Sequence, residues 1–237
     1  MIRCLIYVKQ SHNSQGMQKT VLFDNKKTKN AFFILYCSHL FVPLQAMNEN
    51  VIIVDADFAD KVAFDLTVNF ERMLERQIPQ ADMARWVECL ALDGGLREGE
   101  HQTTVVLVHD HQTEAMKNFR PGHFSNELEG QAFKGNLGEF VFSATSGETF
   151  VSKDDLFLDT LRVVMEQKNV KRVLVIPDDQ QYNKVRETLR RADDADKQIT
   201  VFAMQPMPGG PFRQEILGYS LMAALGIRSE ELNKASE

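Results

Sequence analysis

Apolar residues fall into two kinds of run along this chain, and the two kinds alternate. Val51-Ile52-Ile53-Val54 is continuous and β-branched, and it ends at Asp55 without polar alternation. That is the pattern of a strand buried on both faces of a parallel sheet. It returns at 104–108, at Phe140-Val141-Phe142, at 173–176 and at 199–203. Helical spacing lies between these runs. Phe58, Val62, Leu66 and Phe70 recur four apart and continue through Met73 and Leu74. Ser152 and Asp155 make a capping box ahead of 156–165, and Tyr182, Val185 and Leu189 share one helix face. A last helix from about Pro211 carries Ile216, Leu217, Leu221, Met222, Ala224 and Leu225. The alternation predicts an α/β domain over 47–237: three-layer and Rossmann-like, with a mostly parallel sheet of about five strands and helices on both faces. Residues 111–138 fit neither pattern and are expected to run over the surface.

In open parallel sheets ligands bind beyond the carboxyl ends of the strands. The residues there are Asp55-Ala56-Asp57, His109-Asp110-His111, Ser143-Ala144-Thr145-Ser146, Pro177-Asp178-Asp179 and Gln205-Pro206. Three of the five ends carry acids. If the strands are neighbours, these carboxylates converge, and a divalent cation with a taste for oxygen, Mg²⁺ or Mn²⁺, would relieve their repulsion. Asp55, Asp57 and Asp178 are the candidate metal ligands, with Asp179 and Asp110 as further catalytic acids. The same residue types also cap helices, and Asp57 and Asp179 stand where helices near Phe58 and Gln180 would start. His109 and His111, two apart on a strand, share a face, but no spacing supplies the rest of a zinc site.

Gly209-Gly210 with Arg213 forms a candidate anion site, since glycine admits close approach and helix starts attract anions. Neither the phosphate-loop lysine nor the G-x-G-x-x-G spacing is present, so no nucleotide cofactor fingerprint exists. Asp93-Gly94-Gly95 reads as a helix stop. Cys89, following Trp86 on a helical pattern, reads as a core thiol.

Charge changes the picture at the amino end. Of 27 basic and 33 acidic residues, residues 1–46 hold six basic groups against the single acid Asp24. The remainder carries a net charge of −11. Three readings of 1–46 compete: a basic leader with an apolar stretch over 31–44 and a Leu44-Gln45-Ala46 cleavage site, a folded extension, or a mis-assigned start ahead of Met47. The last is preferred, which makes the protein cytoplasmic; the first would export it. The net charge of −6 does not support nucleic-acid binding, and no run of 18 apolar residues predicts a membrane span. Three cysteines, at 4, 37 and 89, build no disulfide framework. The partner is open, and a homo-oligomer is compatible with the sequence.

From Met47 onward the chain resembles a bacterial family known only as a domain of unknown function. The resemblance rests on residues 54–61, on Gly130-Gln131-Ala132-Phe133, and on 208–220. It implies no activity. The order of features also resembles NYN/PIN-type nuclease domains, with Asp55 and Asp57, Asp155 or Asp159, and Asp178 at the acidic positions; Ile176-Pro177 and Gln180 depart from that pattern. Haloacid-dehalogenase-type phosphatases are similar in another register, through Asp55-Ala56-Asp57, Ser143, Lys171 and Asp178-Asp179, with Ala59 as a departure. Both resemblances imply Mg²⁺-dependent phosphoester hydrolysis. The other reading is a non-catalytic module that binds a protein or a small anionic ligand through 111–138 and Arg213. The catalytic reading needs the first and fourth buried runs to lie side by side.

Overall fold

Asn50–Asp55 forms β1, whose six residues are all buried. This computed structural model describes residues 48–147, 151–192, 196–228 and 230–232. Residues 1–46 and the start expected at Met47 lie outside them. β1 pairs in parallel with β3 (His101–His109) on one side and with β7 (Arg172–Ile176) on the other. The first and fourth buried runs are therefore neighbours. Outward on the first side come β6 (Gly138–Ser146) and β5 (Ala132–Gly135); on the second come β8 (Gln198–Ala203) and β9 (Arg213–Ile216). Only the β5–β6 pair of this seven-stranded sheet is antiparallel.

The two strands beyond the expected five are the sheet edges. Arg213–Ile216 is too polar to read as a buried strand, and it carries part of the segment expected as helix from Pro211. That helix, α5, starts at Leu217 and ends at Ala224. Gln214 holds the strand in place. Its amide donates to the Met207 carbonyl at 2.9 Å, while its side-chain oxygen accepts from the Met207 N–H at 3.2 Å. The third expected run extends past Ser143, which lies inside β6, and ends at Ser146.

α1 (Ala56–Leu74) and α2 (Met83–Asp93) follow β1. α3 (Lys153–Glu166) and α4 (Tyr182–Ala192) flank β7. The Ser152 hydroxyl accepts the Asp155 N–H at 3.1 Å, the first bond of the expected capping box, and donates to the Asp155 carboxylate at 2.8 Å. α2 stops at Gly94, and Gly95 has φ +88°, a left-handed conformation that glycine adopts without strain. One core gathers Ile52, Val54, Val105, Leu107, Phe140, Leu174 and Phe202 with residues of α1, α2 and α5. Val51, Ile53, Val106, Val108, Val173, Val175 and Val201 alternate with these and are equally buried. α3 packs on β1, β3 and α4. Both faces of the central strands are therefore covered, and each such Val or Ile contributes about 1.5–3 kcal/mol by leaving water.

Residues 111–138 are mostly exposed, as expected of a surface excursion, but they are also anchored in the core. Met116, Phe119, Phe124 and Leu128 are buried in the same core, and Phe119 packs on Trp86 with ring centroids 4.8 Å apart. Single apolar residues spaced three to five apart anchor this stretch, which includes a π-helical turn, Phe124–Leu128, and a short β2–β4 pair (Ala81–Asp82 with Phe119–Arg120). Such isolated anchors leave no helix or strand period to read.

Candidate functional site

Parallel pairing brings the ends of β1, β3, β6 and β7 to one edge of the sheet. β1 ends in Asp55, which is only 2% exposed. One of its carboxylate oxygens caps α1 by accepting the Phe58 N–H at 3.0 Å, and the same oxygen takes the Lys153 ammonium at 2.8 Å. Asp57, in the first turn of α1, lies 3.4 Å from the same ammonium and accepts the Asp110 N–H at 2.8 Å. Two carboxylates at the end of the central strand thus converge on one cationic atom, whose side chain is 16% exposed.

The electrostatics derive from burial. Desolvation pushes the Asp55 carboxyl above the usual carboxylate range, with Lys153 and the Phe58 N–H pulling the other way. Burial alone would lower Lys153, but the charges and hydrogen bonds of Asp55 and Asp57 outweigh it and hold the ammonium above its ordinary value. A lysine raised in the fold stabilises it while protonated, and that contribution is lost as pH climbs through the folded value. The stability difference between the wild type and Lys153→Met should therefore shrink above about pH 10.5, the ordinary lysine value. Chemical denaturation across that range measures it; a difference that stays flat would refute the pairing.

At the end of β7, Asp178 accepts the Gln180 N–H at 2.8 Å. Burial, then the neighbouring Asp178 charge, raises the Asp179 carboxyl. Its Oδ1 is buried with no hydrogen-bond partner. Asp110 is turned outward, accepting the Gln112 N–H at 2.9 Å and facing His111 at 3.2 Å. His109 stacks on Phe124 with centroids 3.8 Å apart and bonds the Asp110 carbonyl through Nδ1. The cap of α1 is thus Asp55, where Asp57 was expected; after β7 it is Asp178 that takes the Gln180 N–H, while Asp179 has a backbone hydrogen bond with Met204.

Arg213 stands apart from this edge, held by Glu215 through a 2.8 Å bond from Nε. Gly209 and Gly210 precede a strand, so no helix start lies behind them. Lys171, the lysine of the phosphatase resemblance, precedes β7 and pairs with Glu49 at 2.7 Å, at the opposite end of the sheet from Asp55. Of the acids in the nuclease resemblance, Asp155 completes the α3 cap and Asp159 pairs with Arg162. Cys89 is half-buried and lies outside the core expected for it, and burial pushes its thiol up, away from the reactive thiolate form.

The residue sequence reasoning passed over is Lys153. Its signal is a charge in the wrong place: a lysine at the first position of a helix opposes the macrodipole. A carboxylate pair supplied from elsewhere resolves that conflict.

A family model for a family of unknown function, DUF6621, matches residues 45–232. The chain belongs to DUF6621. No curated protein and no solved structure matches it, so neither the nuclease nor the phosphatase resemblance gains a relative. Most of the described domain, including Asp55, Asp57, Lys153 and Asp178, falls inside the DUF6621 match. Among the described residues, no group of three or more His, Cys, Asp or Glu side chains is placed to hold a metal ion, and no helix is long and apolar enough to cross a membrane.

Proposed function

We propose that this DUF6621 chain is a Mg²⁺- or Mn²⁺-dependent phosphoester hydrolase, built on a three-layer Rossmann-like domain and working in the cytoplasm. The observation that carries the reading is the convergence of Asp55 and Asp57 on the Lys153 ammonium, at 2.8 and 3.4 Å. The ammonium stands in for a cation at a point both carboxylates reach. Mg²⁺ commonly takes one or two protein carboxylates and fills its remaining positions with water and substrate phosphate, so this pair suffices in kind. A divalent ion held there would supply electrostatic stabilisation of phosphoryl charge and an activated water.

The residues then divide the work. Asp55 and Asp57 would hold the cation, with the Asp57 carboxylate fixed by the Asp110 N–H, and Lys153 would supply a positive charge beside the phosphoryl group. Asp178 and Asp179 follow β7, the strand next to β1; in this reading Asp178 would complete the cation's ligands and Asp179, whose carboxyl burial raises, would hold a proton for the leaving group.

The test is a melting titration with MgCl₂ and MnCl₂, followed by hydrolysis of p-nitrophenyl phosphate and bis(p-nitrophenyl) phosphate. At about 100 times its dissociation constant either ion should stabilise the fold by about 2.7 kcal/mol. Asp57→Asn should abolish both the shift and the turnover. Absence of any shift at millimolar ion sinks the hydrolase reading. A second reading then stands, a non-catalytic module. It is favoured by the Asp55 oxygen that already serves a helix cap and an ammonium at once.

A further inference from the structure

α1 buries one apolar stripe and leaves a second apolar pair in water. Phe58, Ala59, Val62 and Ala63 are buried, and Leu66, Phe70 and Leu74 pack against the same core. Phe64 and Val68, four apart on the outward face, are 53% and 37% exposed. A surface helix ordinarily carries polar residues there. Apolar side chains rimmed by charge mark contact surfaces, whereas scattered single ones do not.

The rim is Asp60, Lys61, Glu71 and Arg72. Lys61 and Arg72 are exposed, and among the described residues neither has an ion-pair partner. Asp60 and Glu71 are half-buried and held in place, Asp60 by accepting the Asn118 N–H at 2.7 Å and Glu71 by accepting the Ile78 N–H at 3.0 Å. Each carboxylate has room for a further donor. These positions are symmetric about Leu66, which itself packs on the core. Phe64 and Val68 stand two residues either side of it, Lys61 and Glu71 five, and Asp60 and Arg72 six. In a two-fold contact residue i meets j and j meets i. Two antiparallel copies of α1 centred on position 66 would therefore set apolar on apolar and base on acid in all three pairs.

We propose that α1 is the contact surface of a homodimer, in which a second copy lays its own α1 antiparallel across Phe64 and Val68, with Lys61 on the partner's Glu71 and Asp60 on the partner's Arg72. Charge complementarity is what favours a second copy over a different protein. It also selects the register. A contact centred on Phe64 would set Asp57 against Glu71, and one centred on Val68 would set Asp65 against Glu71, like charges in both cases. In the proposed register the outermost pair, Asp57 with Glu75, is alike in sign, but Asp57 is turned to the Lys153 ammonium and the Asp110 N–H. Helices that cross at about 20° stay in contact over several turns, which the Asp60 and Arg72 pairs require.

The experiment is sedimentation velocity of the full chain in a dilution series from about 100 μM to about 1 μM, which brackets a micromolar dissociation constant. The wild type should pass from dimer to monomer across the series. Phe64→Glu and Lys61→Glu, both on exposed side chains, should each weaken the dimer at least about tenfold without lowering the melting temperature of the dilute protein. A two-fold axis uses every contact twice, so Lys61→Glu sets two pairs of acids face to face. Lys61→Glu/Glu71→Lys should then recover most of the loss, because both pairs are opposite in sign again. A chain that stays monomeric at the highest concentration leaves the stripe to another protein and overturns the proposal. So does a dimer that Phe64→Glu and Lys61→Glu both leave intact. If the double variant melts early, because Glu71 also holds the Ile78 N–H, Lys61→Glu/Glu71→Gln takes its place and keeps an oxygen for that bond. It must still relieve the loss, and a folded variant that gives no relief overturns the facing of Lys61 and Glu71.

Discussion

Lys153→Met should lower the stability of the fold by about 3–5 kcal/mol at neutral pH, and Asp55→Asn in the same chain should restore most of it. The reason is asymmetric. A buried ion pair contributes little net stability, because desolvating both charges offsets their attraction, but removing one partner strands the other charge in the interior. Asp55 is 2% exposed, and after the substitution only the Phe58 N–H and distant dipoles would support its charge. The pH dependence separates this account from simple loss of packing. Burial already pushes Asp55 up. Without Lys153 it rises further, and a carboxyl raised in the fold destabilises only where it is ionised. The deficit of Lys153→Met should therefore close as pH falls through the raised Asp55 value and open as pH rises through it, before shrinking again in the lysine range. Denaturant melts of the two single variants, the double and the wild type complete the cycle. A coupling energy near zero would show that the ammonium merely rests near the carboxylates.

The central strands were legible because both faces are covered, so no polar residue interrupts Val51–Val54 or Val173–Ile176. The adjacency of β1 and β7 was only a condition in the sequence; register is a tertiary property, set by which crossovers pack. The edges were harder. β9, with Arg-Gln-Glu-Ile, is half solvated and held by a Gln214 clamp that no period announces. Of the five candidate acids, the pair that converges on Lys153 was marked by position alone, because Asp55 and Asp57 follow an apolar run. Asp55 and Asp57 meet at the Lys153 ammonium, while Arg213 falls elsewhere, at the start of edge strand β9, and pairs with Glu215. Lys153 was missed because it reaches the carboxylates across 98 residues of chain, and only its conflict with the helix dipole marked it.

Gly138→Ala should cost about 2–6 kcal/mol, on the same scale as the lysine variant, and should damage the site from a distance. Gly138 has φ +108°, where an L side chain is strained by about 1–3 kcal/mol. A Cβ there would also sit 2.1 Å from the His101 carbonyl oxygen and 2.4 Å from its nitrogen. Those atoms are backbone of β3, so relief must come from moving one strand against the other, at about 1–3 kcal/mol for an overpacked core. The β3–β6 register runs unbroken from His101↔Gly138 to His109↔Ser146, and it continues in the Gly147 N–H donated to the His109 carbonyl at 3.2 Å. From Gly147 the chain passes to Ser152 and Lys153. A shift begun at Gly138 is thus delivered to the segment that places the ammonium. The expected result is a lower melting temperature together with a smaller Lys153–Asp55 coupling energy, measured by repeating the four-variant cycle in the Gly138→Ala background. If stability falls while the coupling is unchanged, the strain is absorbed in the β5–β6 hairpin, and β6 does not position the lysine.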